Sequence, residues 1–89
     1  MSPKSLGVRG GSRRSVEFDQ AVGARIKARR ERKKISQTDL GEMIGVTGAQ
    51  ISRYEAGKTS CDPATLAIIA EKLGCKAGAL IDGLKADAA

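Results

Sequence analysis

The sequence predicts an all-α fold, a five-helix domain, on three observations. Apolar residues recur at spacings of three and four: Leu40 and Ile44, then Ile51 and Tyr54, then Leu66, Ile69, Ala70 and Leu73. That repeat puts side chains on one face of a helix. Ser36, Thr47 and Asp62 stand just before these runs, where a short oxygen-bearing side chain accepts from the free N–H groups of a helix start. Gly45, Gly57 and Gly74 close the same runs, and a left-handed glycine is a common helix stop.

Taken in order, residues 1–16 read as a disordered basic tail: MSPKSLGVRGGSRRS is Gly, Ser and cationic, with little to bury. The first helix is expected from about Phe18 to Lys33. Glu17 and Asp19 lie near its start and a Lys/Arg cluster lies at its end, which suits the helix dipole. Val22 and Ile26 face the core, and Ile35 is buried in the following link. The second helix spans about Gln37 to Ile44, with Ser36 as cap and Asp39 in the positive first turn. Gly41 leaves room for another helix to cross closely, and Met43 faces either the core or a partner.

The third helix spans about Gly48 to Ala56. Thr47 followed by Gln50 three residues on matches a capping box. Ile51 and Tyr54 point inward, and Thr47, Gly48, Ala49, Gln50, Ser52 and Arg53 make the outward face. Two short helices joined at a tight glycine turn form a helix-turn-helix unit, and the plain alternative is an αα-corner in some other helical domain. Asp62-Pro63 opens a fourth helix that runs to about Leu73. A short fifth helix, about Lys76 to Leu84, brings Leu80, Ile81 and Leu84 either to the monomer core or to a dimer contact. Residues 85–89 should fray, so the folded unit is residues 17–84.

Eighty-nine residues allow one small domain. The net charge of +6 is unevenly placed: residues 1–34 hold eleven Lys and Arg against three acids, and the remainder is slightly acidic. A basic half on a small domain points to a polyanionic partner. With two cysteines and no histidine, a zinc site is not expected, nor is any cofactor. No secretory apolar core is visible at the N-terminus and no apolar run approaches bilayer length. A cytoplasmic protein with Cys61 and Cys75 reduced is therefore expected. A Cys61–Cys75 disulfide formed during purification is left open.

The stretch QTDLGEMIGVTGAQISRY, with KARRERKKISQTDL before the turn, ISRYEAGK after it and PATLAIIAEKLG beyond, resembles the lambda-repressor and Cro-like (XRE-type) helix-turn-helix family, from about Ala21 to Asp82. The resemblance implies duplex DNA as partner, transcriptional regulation as the role (repression foremost), and a homodimer on a two-fold symmetric operator. It implies that Arg30 pairs with Glu55, locking the first helix to the third. It gives Gln37, Lys58 and Thr59 to phosphate. Base reading falls to the positions of Thr47, Gly48, Ala49 and Arg53, with Gln50 and Ser52 beside them. Gly48 and Ala49 depart from a hydrogen-bonding pattern, so polar reading passes to Arg53, which favours guanine, and to Gln50, which favours adenine unless its capping box holds it. Arg13 and Arg14 would be the contacts of a basic arm, if the tail is one.

Two other readings stay open at this level. One is an antitoxin that represses its own operon, which would bring a toxin protein as partner. The other is a protein-interaction module that reuses the fold. An enzyme is not expected, since no nucleophile–base pair, metal cluster or phosphate-cradling glycine loop is present in the sequence. No membrane contact and no small-molecule ligand is expected either.

Overall fold

The computed structural model describes residues 13–84. These residues form five helices and no strand: α1 Arg13–Arg32, α2 Gln37–Ile44, α3 Gly48–Ala56, α4 Pro63–Lys72 and α5 Ala77–Ile81. The bounds of α2 and α3 are those the cap signals predict. The C-terminus at 85–89, expected to fray, and all but the last residues of the expected tail lie outside the described residues.

Two helix ends differ from expectation. α1 begins at Arg13 rather than near Phe18. Residues 13–17 contain neither Gly nor Pro, so once the packed turns have formed, propagation toward the N-terminus meets no breaker. As a result α1 has no acid in its first turn, and Glu17 and Asp19 sit further inside the helix. At the other end of the chain, α5 stops at Ile81, short of Leu84, because Asp82 is extended and Gly83 has φ 82°. Lys76 makes no side-chain cap bond for so short a helix. Its last carbonyls are instead met from α1, where Arg25 Nη1 donates to the carbonyl oxygens of Asp82 at 2.7 Å and Ala79 at 3.4 Å. A cation at that end also suits the helix dipole.

The core is Val22 and Ile26 from α1, Leu40 from α2, Ile51 and Tyr54 from α3, Leu66, Ile69, Ala70 and Leu73 at α4, and Leu80 from α5. The periodicity selects all of these, and also Ile44, which packs half-buried against the cluster. Leu80 is fully enclosed and Ile81 and Leu84 pack half-buried against the same cluster, so α5 closes the core. Met43, 48% exposed, is not a core residue. α3 packs on both α1 and α2, α4 bridges α2 and α5, and α5 returns to α1. The contacts at Gly41 and Gly23 need a missing side chain. A Cβ on Gly41 would stand 2.6 Å from the Val46 carbonyl oxygen, and one on Gly23 would stand 2.3 Å from that of Tyr54.

Lys34, between α1 and α2, has φ 61°, in the left-handed region where a side chain crowds the following carbonyl. Lys34→Gly relieves that strain while adding freedom to the unfolded chain. The balance should favour the variant by roughly 0.5–1 kcal/mol. A thermal melt should therefore move up by a few degrees. A lower Tm would contradict the backbone described.

Candidate nucleic-acid interface

The surface that could meet a ligand is built from the two ends of α2 and the free face of α3. Ser36 opens α2 with a complete capping box. Its Oγ accepts from the Asp39 N–H at 2.9 Å, and Asp39 Oδ2 accepts from the Ser36 N–H at 3.3 Å. The N–H groups of Gln37 and Thr38 come before any carbonyl that the helix could offer them, as at every helix start. Gly45 closes α2 in the left-handed conformation, φ 86°, and Thr47 Oγ1 opens α3 by accepting from the Gln50 N–H at 3.0 Å.

α3 divides cleanly. Ile51, Tyr54 and Glu55 are buried, whereas Ala49, Ser52, Arg53 and Ala56 form an exposed stripe at helical spacing, with Thr47 exposed at its head. Gly48 and Gln50 are half-buried. Gly48 is turned toward α2: a Cβ there would lie 2.8 Å from Thr38 Oγ1. Gln50 does not complete a capping box. Its Oε1 accepts from Arg53 Nη2 at 2.9 Å and from Arg53 Nε at 3.3 Å. One turn along the helix, a guanidinium outcompetes the N-cap amide for that oxygen, since charge-assisted bonds are the stronger.

Arg30 and Glu55, each 8% exposed, form the expected pair. Arg30 Nε donates to Glu55 Oε2 at 2.7 Å and Nη2 donates to Oε1 at 3.2 Å. Arg30 Nη1 also donates to the Ile35 carbonyl at 2.8 Å. Glu55's hydrogen bond holds the Arg30 guanidinium above its ordinary value against the opposing effect of burial. Gln37 Nε2 joins the node by donating to Glu55 Oε1 at 2.9 Å. One carboxylate on α3 thus ties α1 to the first residue of α2, and Gln37 keeps a second amide hydrogen for another acceptor.

After α3, the Gly57 N–H donates to the Tyr54 carbonyl at 3.1 Å and the Lys58 N–H donates to the Arg53 carbonyl at 3.0 Å. These two amides are occupied by closing the helix, so Lys58 can meet an anion only through its exposed side chain. Thr59 beside it is half-buried. Ser60 Oγ hydrogen-bonds the Asp19 carboxylate, which fastens this loop to α1. The half-buried Cys61 thiol is pushed up to about 11, by burial first and then by Asp62 and Asp19. A thiol so raised stays protonated near neutral pH and is a poor nucleophile. Cys61 and Cys75 are both free.

Of the cationic cluster, Arg30 is buried, Arg29 half-buried, and Arg32, Lys33 and Lys34 exposed. Arg29, Arg32 and Lys33 line a shallow cleft of about 200 Å³ beside Leu73. The side chains of Arg13 and Arg14 lie outside the described residues. Sequence reasoning missed Gly23, Arg25, Asp19 and the left-handed Lys34, which act through contacts distant in sequence or through a backbone angle that no neighbouring residue signals. Among the described residues no helix is long and apolar enough to cross a membrane, and no group of three or more His, Cys, Asp or Glu could hold a metal.

A capped pair of helices, the second tied to α1 by a buried ion pair and to the first by the Gln37 amide, with an open polar face on the second, defines a helix-turn-helix protein. The chain belongs to the XRE-type helix-turn-helix family, whose family model matches residues 26–80. It is 38% identical over 64 residues to repressor protein C2 of Salmonella phage P22, covering 72% of this chain and 30% of that protein. It is 51% identical over 45 residues to the HTH-type transcriptional regulator y4wC of Sinorhizobium fredii, covering 51% of this chain and 32% of that one. The chain therefore spans about a third of the length of these two relatives. The P22 c2 repressor solved in complex with synthetic operator 9T superposes with a TM-score of 0.67 at 38% identity, covering 72% of this chain and 97% of that one. Cobalt(II) HppE superposes with the same TM-score of 0.67 at 28% identity, over 71% of this chain and 36% of that one.

Proposed function

We propose that this chain is a transcriptional regulator, foremost a repressor, that binds duplex DNA by laying α3 in the major groove. The observation that carries this reading is the exposed stripe of α3 that bears Arg53, with Ile51, Tyr54 and Glu55 buried on the opposite side. Family membership and the likeness to a repressor solved on an operator support it. Residues 17–84 are the binding unit.

Base contacts are assigned to Arg53 and Gln50, with Thr47 and Ser52 assisting. Ala49 offers a methyl to thymine, and Gly48 keeps the start of α3 close to α2 so that its backbone can approach the groove. Gln37 donates its remaining amide hydrogen to a phosphate, together with the free N–H groups of α2. The Lys58 side chain and the Thr59 hydroxyl hold a second phosphate. Two copies of the chain would place two such helices on a two-fold symmetric operator, with half-sites about one helical turn apart. The protein would then work in the cytoplasm, with its DNA.

Binding of variants to a selected site, measured across a range of salt, tests the roles. Arg53→Ala should cost about 1–3 kcal/mol on the preferred site and relax its sequence preference. Lys58→Ala should weaken all sequences alike and reduce the salt slope by roughly one. Sequence-blind, salt-insensitive binding by the unaltered chain would sink the proposal.

A further inference from the structure

The geometry points to Gln50 and Arg53 acting as one reading unit that presents only hydrogen-bond donors, so that the base pair facing Gln50 is G·C and adenine is rejected there. This rests on the reading that α3 meets DNA. Glutamine reads adenine by using both ends of its amide: the oxygen accepts from N6–H and the nitrogen donates to N7. Here the oxygen is already occupied. Gln50 Oε1 accepts from Arg53 Nη2 at 2.9 Å and from Nε at 3.3 Å, which uses both of its lone pairs. The orientation of the amide follows from chemistry, since turning it over would set an NH₂ against two N–H donors. The two residues are three apart on one helix face, where side chains meet.

What remains at the tip of the unit is uniform. Gln50 keeps two amide hydrogens, Arg53 keeps those on Nη1 and one on Nη2, and none of these has a partner among the described residues. Guanine's major-groove edge carries two acceptors, N7 and O6, and no donor; adenine's carries a donor beside its acceptor; thymine's carries one acceptor beside a methyl. Two amide hydrogens match guanine and oppose adenine N6. Arg53, itself suited to guanine, then fixes both its own base and that of its neighbour. Its removal frees the Gln50 oxygen and restores the adenine pattern.

Selection of duplexes from a random pool by the full chain, repeated with Gln50→Ala and Arg53→Ala, tests this. Neither residue is in the core, and circular dichroism melts check that each variant folds. The position that loses its preference in Gln50→Ala should be G·C for the unaltered chain, and A·T there should weaken binding about tenfold. In Arg53→Ala the same position should switch to A·T. An A·T pair selected there by the unaltered chain, no switch in Arg53→Ala, or no preference lost in Gln50→Ala would each overturn this inference while the DNA reading stands. Failure to enrich any duplex would overturn both.

Discussion

Replacing Gly23 with alanine should remove a large share of the stability of the fold. The added Cβ would lie 2.3 Å from the Tyr54 carbonyl oxygen and 2.4 Å from that of Glu55. Both obstacles are backbone atoms of α3, so no rotamer change relieves them and the two helices must part. Parting them loosens Ile26 and Ile51, which are now wholly enclosed. Alanine's better helix propensity returns only about 1 kcal/mol. Overpacking against a close-packed interior commonly costs ~1–3 kcal/mol, and against backbone we expect about 3 kcal/mol or more. That is a large share of the ~5–15 kcal/mol typical of a small domain. Urea denaturation followed by circular dichroism measures it, and a variant as stable as its parent would mean that α1 and α3 do not cross so closely.

Glu55→Ala should be comparably damaging for an electrostatic reason. It leaves the Arg30 guanidinium buried without its anion, a change that typically costs about 3–5 kcal/mol. At roughly 4–8 °C per kcal/mol, Tm should fall by well over 10 °C. Replacing both partners, as Arg30→Met with Glu55→Leu, removes the unpaired charge along with the pair. That double variant should regain most of the lost stability. It should still bind DNA more weakly than the parent, because Gln37 loses the carboxylate oxygen that orients it. A double variant no more stable than Glu55→Ala would show that packing, not the stranded cation, is at stake.

The middle of the fold was legible because its instructions are local. Ser36 with Asp39, Thr47, Gly45 and Gly57 mark helix ends within a few residues of where they act, and α2 and α3 fall on the predicted bounds. The Arg30–Glu55 pair, 25 residues apart, was reached through resemblance and not through spacing. Long-range contacts were hidden. Gly23 looks like a helix-weakening residue until α3 is laid across it. Arg25 looks like a solvent-facing cation until the carbonyl ends of α5 arrive beside it. The start of α1 is not legible in the sequence, because the acids at 17 and 19 resemble a helix start, yet no breaker separates them from Arg13. The Thr47–Gln50 box was half right: the hydroxyl caps the helix, but Arg53 captures the glutamine oxygen, and only the identity of the residue three places further on hints at that competition.

The way α3 is fastened has a practical consequence. Its long-range anchors, the Ile51 and Tyr54 side chains, the Glu55 carboxylate and the close passage over Gly23, lie on its inner side. The outer side chains could therefore be exchanged wholesale with little penalty in folding. The scaffold behaves as an interchangeable mount, and a library randomised at 49, 50, 52 and 53 should yield stably folded proteins retargeted to new sites.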